Sequence, residues 1–237
     1  MKRALMAVLL LSAAVLFAAL GVWQIERRAW KLALIAAVEQ RAEAPPQPAP
    51  GPPAWPGISA QADAYTHVQV HGTLLDGQET LVQAVTELGP GFWVMTPLRA
   101  DDGWTVLVNR GFVPDRSTRT GHGPAGSPDP LAGPATVTGL LRLTEPGGGF
   151  LRSNDPGTGR WYSRDVAAIS RARGLEAAPY FIDADSTPNP GGYPVGGLTV
   201  IAFPNNHLVY VFTWFILSGL SLSGLWVIRR VNIVQET

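Results

Sequence analysis

His207 stands in Pro204-Asn205-Asn206-His207, where the chain enters an uncharged run from Leu208 to Ile228 that is closed by Arg229-Arg230. An imidazole can act as a general base, a proton carrier or a metal ligand. At the rim of an apolar helix it is costly to bury, and such a residue marks a functional position. The first turn of a helix presents the positive end of its macrodipole, a setting that suits a neutral, ligating ring. Tyr210 and Trp214 follow at i+3 and i+7 and share its helical face. Two readings stand side by side. In one, His207 is the axial ligand of an iron or copper site, with a flat macrocycle lying between two helices. In the other, Asn205 or Asn206 caps the helix, the aromatics form an interfacial belt, and His207 touches a partner.

A second apolar run, Ala4 to Val22, follows Lys2-Arg3 and continues into Trp23-Gln24-Ile25-Glu26-Arg27-Arg28-Ala29-Trp30-Lys31. Ala19-Leu20-Gly21 is a poor cleavage site for a signal peptide, so the run reads as a retained anchor. Two spans crossing in opposite directions bring Trp23 and His207 to the same depth. Trp23, Arg27 and Trp30 lie on one side of the first helix, which the bland reading explains as belt tryptophans with a snorkelling arginine.

The rest of the chain offers little chemistry. His67 and His71 are about 13 Å apart on one strand, too far to share a metal, and read as surface histidines. His122 sits between glycines in a loop, and Asp183 and Asp185 suggest no pocket. There is no phosphate-binding glycine loop, His-Glu-x-x-His or Gly-x-Ser-x-Gly, so no enzyme is expected. Cysteine is absent, which removes disulfides and thiolate chemistry. A net charge of +0 without a basic stripe excludes a nucleic-acid partner.

These residues need a scaffold, and the pattern predicts a membrane α+β chain in which two transmembrane helices flank one mostly antiparallel β domain with a short helix. The expected segments are a cytoplasmic start (1–3), a first span (4–22), a juxtamembrane helix (23–43), a proline-rich linker (44–57), an extracytoplasmic domain (58–207), a second span (208–228) and a cytoplasmic tail (229–237). Tyr65 to Leu74 alternates as a half-buried strand. Asp101-Asp102-Gly103 joins Phe92–Leu98 to Trp104–Asn109 as a hairpin. Ala135–Leu143, Tyr180–Ile182 and Leu198–Phe203 add strands, a loop is expected from Asp115 to Pro134, and Asp165–Arg173 reads as a helix closed by Gly174.

Five stretches together resemble the Surfeit locus protein 1 family of cytochrome c oxidase assembly factors. They are Gly21-x-Trp23-Gln24-x-x-Arg27-x-x-Trp30-Lys31, then Gly91-Phe92-x-Val94-x-Thr96-Pro97-Leu98, then Val108-Asn109-Arg110-Gly111-Phe112-Val113-Pro114. Asn154-Asp155-Pro156 with Trp161-Tyr162-x-x-Asp165 follows, and Asn205-Asn206-His207-Leu208-x-Tyr210-x-x-Thr213-Trp214-Phe215 is the last. Phe112 departs from the family's usual tryptophan. The resemblance implies a helper for haem a delivery into subunit I of an aa3-type oxidase, with a haem a synthase as a further partner. It implies His207 as iron ligand and Trp214 at the same site. The residues themselves add Tyr210, on the same helical face, as a lining of the ring, and Trp23 and Arg27 at the depth of His207, with Arg27 as a partner for a haem propionate. It also implies a domain facing the periplasm, or the intermembrane space of a mitochondrion. No Arg/Ser-rich transit pattern precedes the first span, so a bacterial inner membrane is expected, and the charges of Lys2, Arg3, Arg229 and Arg230 point to cytoplasmic termini. The alternative is a structural chaperone that holds an oxidase subunit without binding haem.

Overall fold

The computed structural model describes residues 2–75, 77–116, 133–149, 151–189, 192–201, 203 and 205–235, the side chains of Arg3 and of 231–235 excepted. His122, and the loop Asp115–Pro134 except at its two ends, lie outside the described residues. In chain order the elements are α1 (Lys2–Glu43), β1 (Gln47–Pro48), a 3-10 turn (Pro52–Gly57), β2 (His67–Leu74), β3 (Thr80–Thr86) and β4 (Gly89–Ala100). β5 (Thr105–Val113), β6 (Gly133–Leu143), α2 (Val166–Arg173), β7 (Ala177–Ala184) and α3 (His207–Gln235) follow. They form two compact units: Met1–Ala37 with Ala202–Thr237, and Val38–Ile201.

In the helical unit, α1 and α3 are each long and apolar enough to cross a hydrocarbon core of about 30 Å. Leu5, Val8, Leu9 and Leu16 on α1, and Phe212, Ile216 and Leu220 on α3, are more than half exposed. A soluble monomer rarely presents so continuous an apolar surface to water, whereas lipid accepts it. The chain is a membrane protein with two spans.

The β unit is a closed ring. β2 pairs with β6 along one edge and with β4 at Gly72–Leu74 on the other, so β2-β6-β7-β5-β4 returns to its start. β1 occupies the beginning of the β2 edge that β4 leaves free, and β3 pairs with the first half of β4. All pairings are antiparallel except β5–β7 and the short β1–β2. Closure leaves the five strands of the ring without free edges and confines the remaining edges to the short β1 and β3. Residues 198–201 form no strand, contrary to the sequence expectation; β6 and β7 have both edges filled and offer them no place. β3 was not legible in the sequence, being a short edge strand whose outer half is exposed.

Side chains alternate across the ring wall as the pleat requires. Val68, Val70, Leu98, Val106, Val108, Leu141, Tyr180 and Ile182 fill the interior. Met95, Leu107 and Phe181 point outward, under Trp161 and under Val166 and Ile169 of α2. Because core lies on both faces, all nine residues of β5 are buried. α2 starts at Asp165, which accepts from Ala168 N at 3.0 Å, and ends at Gly174 (φ 65°). Asn154 Oδ1 accepts from Tyr162 N and Ser163 N, pinning the chain that carries Trp161.

The proline-rich stretch is docked on the ring. Ala49 and Trp55 pack on the interior cluster, and Trp55 meets Trp104 edge-on at 6.1 Å. The Pro50 carbonyl accepts from Trp55 Nε1 at 3.0 Å and from the Tyr180 hydroxyl at 2.7 Å. Burial pushes the Tyr180 phenol well above its ordinary value. The folded chain therefore keeps this proton where the unfolded chain, titrating near about pH 10, releases it. Stability is complete below that pH and is lost as pH rises toward the folded value. The denaturation midpoint should fall above about pH 10, and Tyr180→Phe should flatten that decline; an equally steep decline in the variant would exclude Tyr180 as its source.

Candidate functional site

Within the helical unit, α1 and α3 meet along two heptad-like lines. Among the buried or half-buried positions, Leu10, Ala14, Phe17, Gly21, Gln24, Arg28 and Lys31 form one series on α1, and His207, Val211, Trp214, Ser218, Ser221, Leu225 and Ile228 one on α3. Steps of three and four residues keep each line on one face of its helix. Ser218 Oγ donates to Ala14 O at 2.9 Å, and the Phe17 and Trp214 rings stack with centroids 5.8 Å apart. Gly21 makes room for Phe215: a Cβ there would lie 2.9 Å from its ring.

At the top of this seam His207 Nδ1 lies 2.7 Å from Gln24 Oε1. Gln24 is buried, with 8% of its surface exposed. In this orientation the amide presents its oxygen, an acceptor, to the ring, an arrangement that suits an imidazole protonated on Nδ1. Asn205 Oδ1 is buried and takes no hydrogen bond among the described residues. It is therefore not the side chain that caps α3, which leaves Asn206 as the candidate cap.

Of the residues singled out from the sequence, His207 and Trp214 lie on the seam. Trp214 Nε1 is buried without a hydrogen-bond partner among the described residues. Trp23 and Tyr210 are each 52% exposed, on the outer surfaces of their helices. Arg27 leaves the seam and stacks on Trp30 at 4.1 Å. With Gln24 facing His207 on antiparallel helices, a turn of 100° per residue brings Trp23, Arg27 and Tyr210 to the same side of the seam. At the other end of α3, about 28 Å along the axis, Arg230 stacks on Trp226 at 4.1 Å. The two stacked pairs bracket the spans, and His207 sits at the rim.

Gln24 had no role assigned from its sequence. The signal was available: it falls on the Leu10–Gly21 line, the only amide in that stretch of seam, at the depth of His207.

The donor set decides which group could be held. Among the described residues no three His, Cys, Asp or Glu side chains gather as a metal site. One imidazole cannot retain a bare ion, but it suffices for an iron whose four equatorial positions a macrocycle already fills. The residues present fit a haem.

The β unit holds a different cluster, which the sequence reading passed over at Asp183. This carboxylate is buried (3% exposed) and accepts from Asn109 Nδ2 (2.8 Å), Arg142 Nη1 (2.8 Å), Arg164 Nη1 (3.0 Å) and Thr199 Oγ1 (2.9 Å). Glu145 takes further donors from both arginines. Burial opposes the charge on Arg164, but Asp183 and Glu145 outweigh it and hold its guanidinium above the ordinary value. The cluster floors a cavity of about 410 Å³ beside Trp93. Two guanidinium groups face two carboxylates and their donors are already engaged, so it braces β5, β6 and β7 and offers no net charge to a ligand. Asn109 Oδ1 also accepts from Gly111 N, whose φ of 129° and close approach to Val195 admit only glycine. His67 and His71 lie on the outer face of β2, with Nδ1 at 2.7 Å from Ala44 O and 2.8 Å from Thr136 Oγ1.

The sequence pattern of the SURF1 family matches residues 11–219. The human Surfeit locus protein 1 is 36% identical over 224 residues, 87% of this chain and 71% of that protein. A SURF1-like protein of Monosiga brevicollis is 37% identical over 235 residues, 93% of this chain and 86% of its own length. Surfeit locus protein 1 of Rattus norvegicus is 35% identical over 223 residues, covering 87% of this chain and 70% of the relative.

Proposed function

The chain belongs to the SURF1 family, whose members are cytochrome c oxidase assembly factors, and from that premise we propose that it assists delivery of haem a to subunit I of an aa3-type oxidase. The observation that carries this reading is His207, half-buried at the rim of the spans with Nδ1 tied to Gln24 and Nε2 left to ligate. When bound, haem a would supply an iron that takes up a nitrogen base. His207 would be that base, with Trp214 and Tyr210 on α3 and Trp23 on α1 as its aromatic neighbours. Arg27 is held by its stack on Trp30, and a stacked guanidinium keeps its in-plane N–H groups for a propionate. Trp23 and Tyr210 are exposed, so His207 would be approached from the lipid side. Such a site suits hand-over from a haem a synthase better than storage. Lys2, Arg3, Arg229 and Arg230 favour cytoplasmic termini, against Arg27, Arg28, Lys31 and Arg41 beyond the first span; the proposed setting is the inner membrane of a bacterium with the domain in the periplasm.

The test is complementation of a bacterial strain deprived of its own family member. The wild-type chain should restore the a-type haem signal and oxidase activity of the membranes. His207→Ala should leave about a tenth or less of that gain, the scale on which metal-site ligands act. Equal restoration by both chains would contradict the proposal.

A further inference from the structure

Resting on the haem-binding reading above, we propose that Gln24 is the positioning residue of the site: its amide oxygen holds neutral His207 in the Nδ1–H tautomer and leaves Nε2 bare as the ligating nitrogen. Three observations carry this. The Nδ1···Oε1 distance is 2.7 Å, a short and well-formed hydrogen bond. Gln24 is buried in the helix seam, where an amide without a partner would be costly. And the two residues come from different helices, so the bond fixes the ring relative to α1 as well as α3. An isolated histidine in water prefers its proton on Nε2, which would block ligation through that atom. Gln24 reverses the preference before any iron arrives. Ligating histidines elsewhere are oriented in the same way, by an acceptor on the other ring nitrogen.

The inference separates Gln24 from its neighbour Trp23, which the sequence pattern makes more conspicuous. It also gives the family-like block after α1's apolar run a chemical reason: Gln24 addresses the histidine and Gly21 admits Phe215 beside it.

The test begins without haem. The full chain, labelled with 15N-histidine and purified haem-free in detergent, is examined by long-range 1H–15N correlation at mildly alkaline pH. The His207 signals are identified by their loss in His207→Ala. The expected spectrum has protonated Nδ1 and unprotonated Nε2 in the wild type and in Gln24→Glu, which keeps an acceptor, and the reverse in Gln24→Leu. A wild-type ring protonated on Nε2, or a tautomer unchanged in Gln24→Leu, overturns the inference.

The second arm uses protein from cells that make haem a. Gln24→Leu should retain haem about tenfold or more weakly than wild type. Gln24→Glu should retain it and show a lower reduction potential, because a carboxylate makes the ligating ring more electron-rich. Haem present in wild type and undiminished in Gln24→Leu overturns this inference alone. Haem absent from wild type overturns the proposed function, and this inference with it.

Discussion

Asp183→Ala is expected to destabilise the β domain by about 3–5 kcal/mol, the range for removing one partner of a buried ion pair. The reason is what remains. Arg142 and Arg164, with 17% and 12% of their side chains exposed, would share only Glu145, itself 38% exposed. The loss compares with a total stability of about 5–15 kcal/mol for a typical domain. Asp183 also links β7 to Asn109 on β5 and to Arg142 on β6, so three strands lose a common tie. Asp183→Asn preserves the volume and removes the charge, and should cost nearly as much. Urea denaturation of the full chain in detergent, followed by near-ultraviolet circular dichroism, reads the result as a lower midpoint with an unchanged slope. A loss below about 1 kcal/mol, the scale of an exposed pair, would show that the cluster is not a brace.

His207→Ala is expected to abolish haem retention: protein purified from cells making haem a should carry haem as wild type and none as the variant. The variant should still fold. Removing His207 deprives Gln24 of one interhelical hydrogen bond, worth about 0.6 kcal/mol on average between membrane helices. That is too little to part α1 from α3, which retain the Phe17–Trp214 stack and the Ser218–Ala14 bond. Ligand loss and unfolding therefore separate cleanly. A wild-type protein free of haem would leave a scaffold that holds an oxidase subunit through its helices or its β domain.

The local features of this fold were written locally. The two uncharged runs, the hairpin at Asp101-Asp102-Gly103, and the helix between Asp165 and Gly174 each depend on residues within one or two turns of each other, and each is present in the structure. What depended on distant residues could not be read. Nothing in β2 alone says that one edge is shared by β1 and β4, and that sharing closes the ring and leaves residues 198–201 without a partner strand. Asp183 looked like an unremarkable carboxylate because its partners are Asn109, Arg142, Arg164 and Thr199, scattered over much of the domain.

The candidate site divides in the same way. His207 was conspicuous because a polar residue at an apolar rim is anomalous by itself. Gln24 was not, since its meaning lies in the 2.7 Å contact with a residue on another helix. The sequence blocks that carry the family resemblance also separate by what they do. Asn109, Gly111, Asn154, Trp161 and Asp165 build and brace the β domain, while the blocks on α1 and α3 converge on one imidazole.

The central claim is that the chain itself ligates haem iron through His207. The direct measurement is the low-frequency resonance Raman spectrum of the ferrous haem-loaded protein, recorded with natural and with 15N-labelled histidine. The account predicts an iron–histidine stretching band that shifts on labelling and is absent in His207→Ala. A band insensitive to the label, or one that survives in His207→Ala, would contradict it.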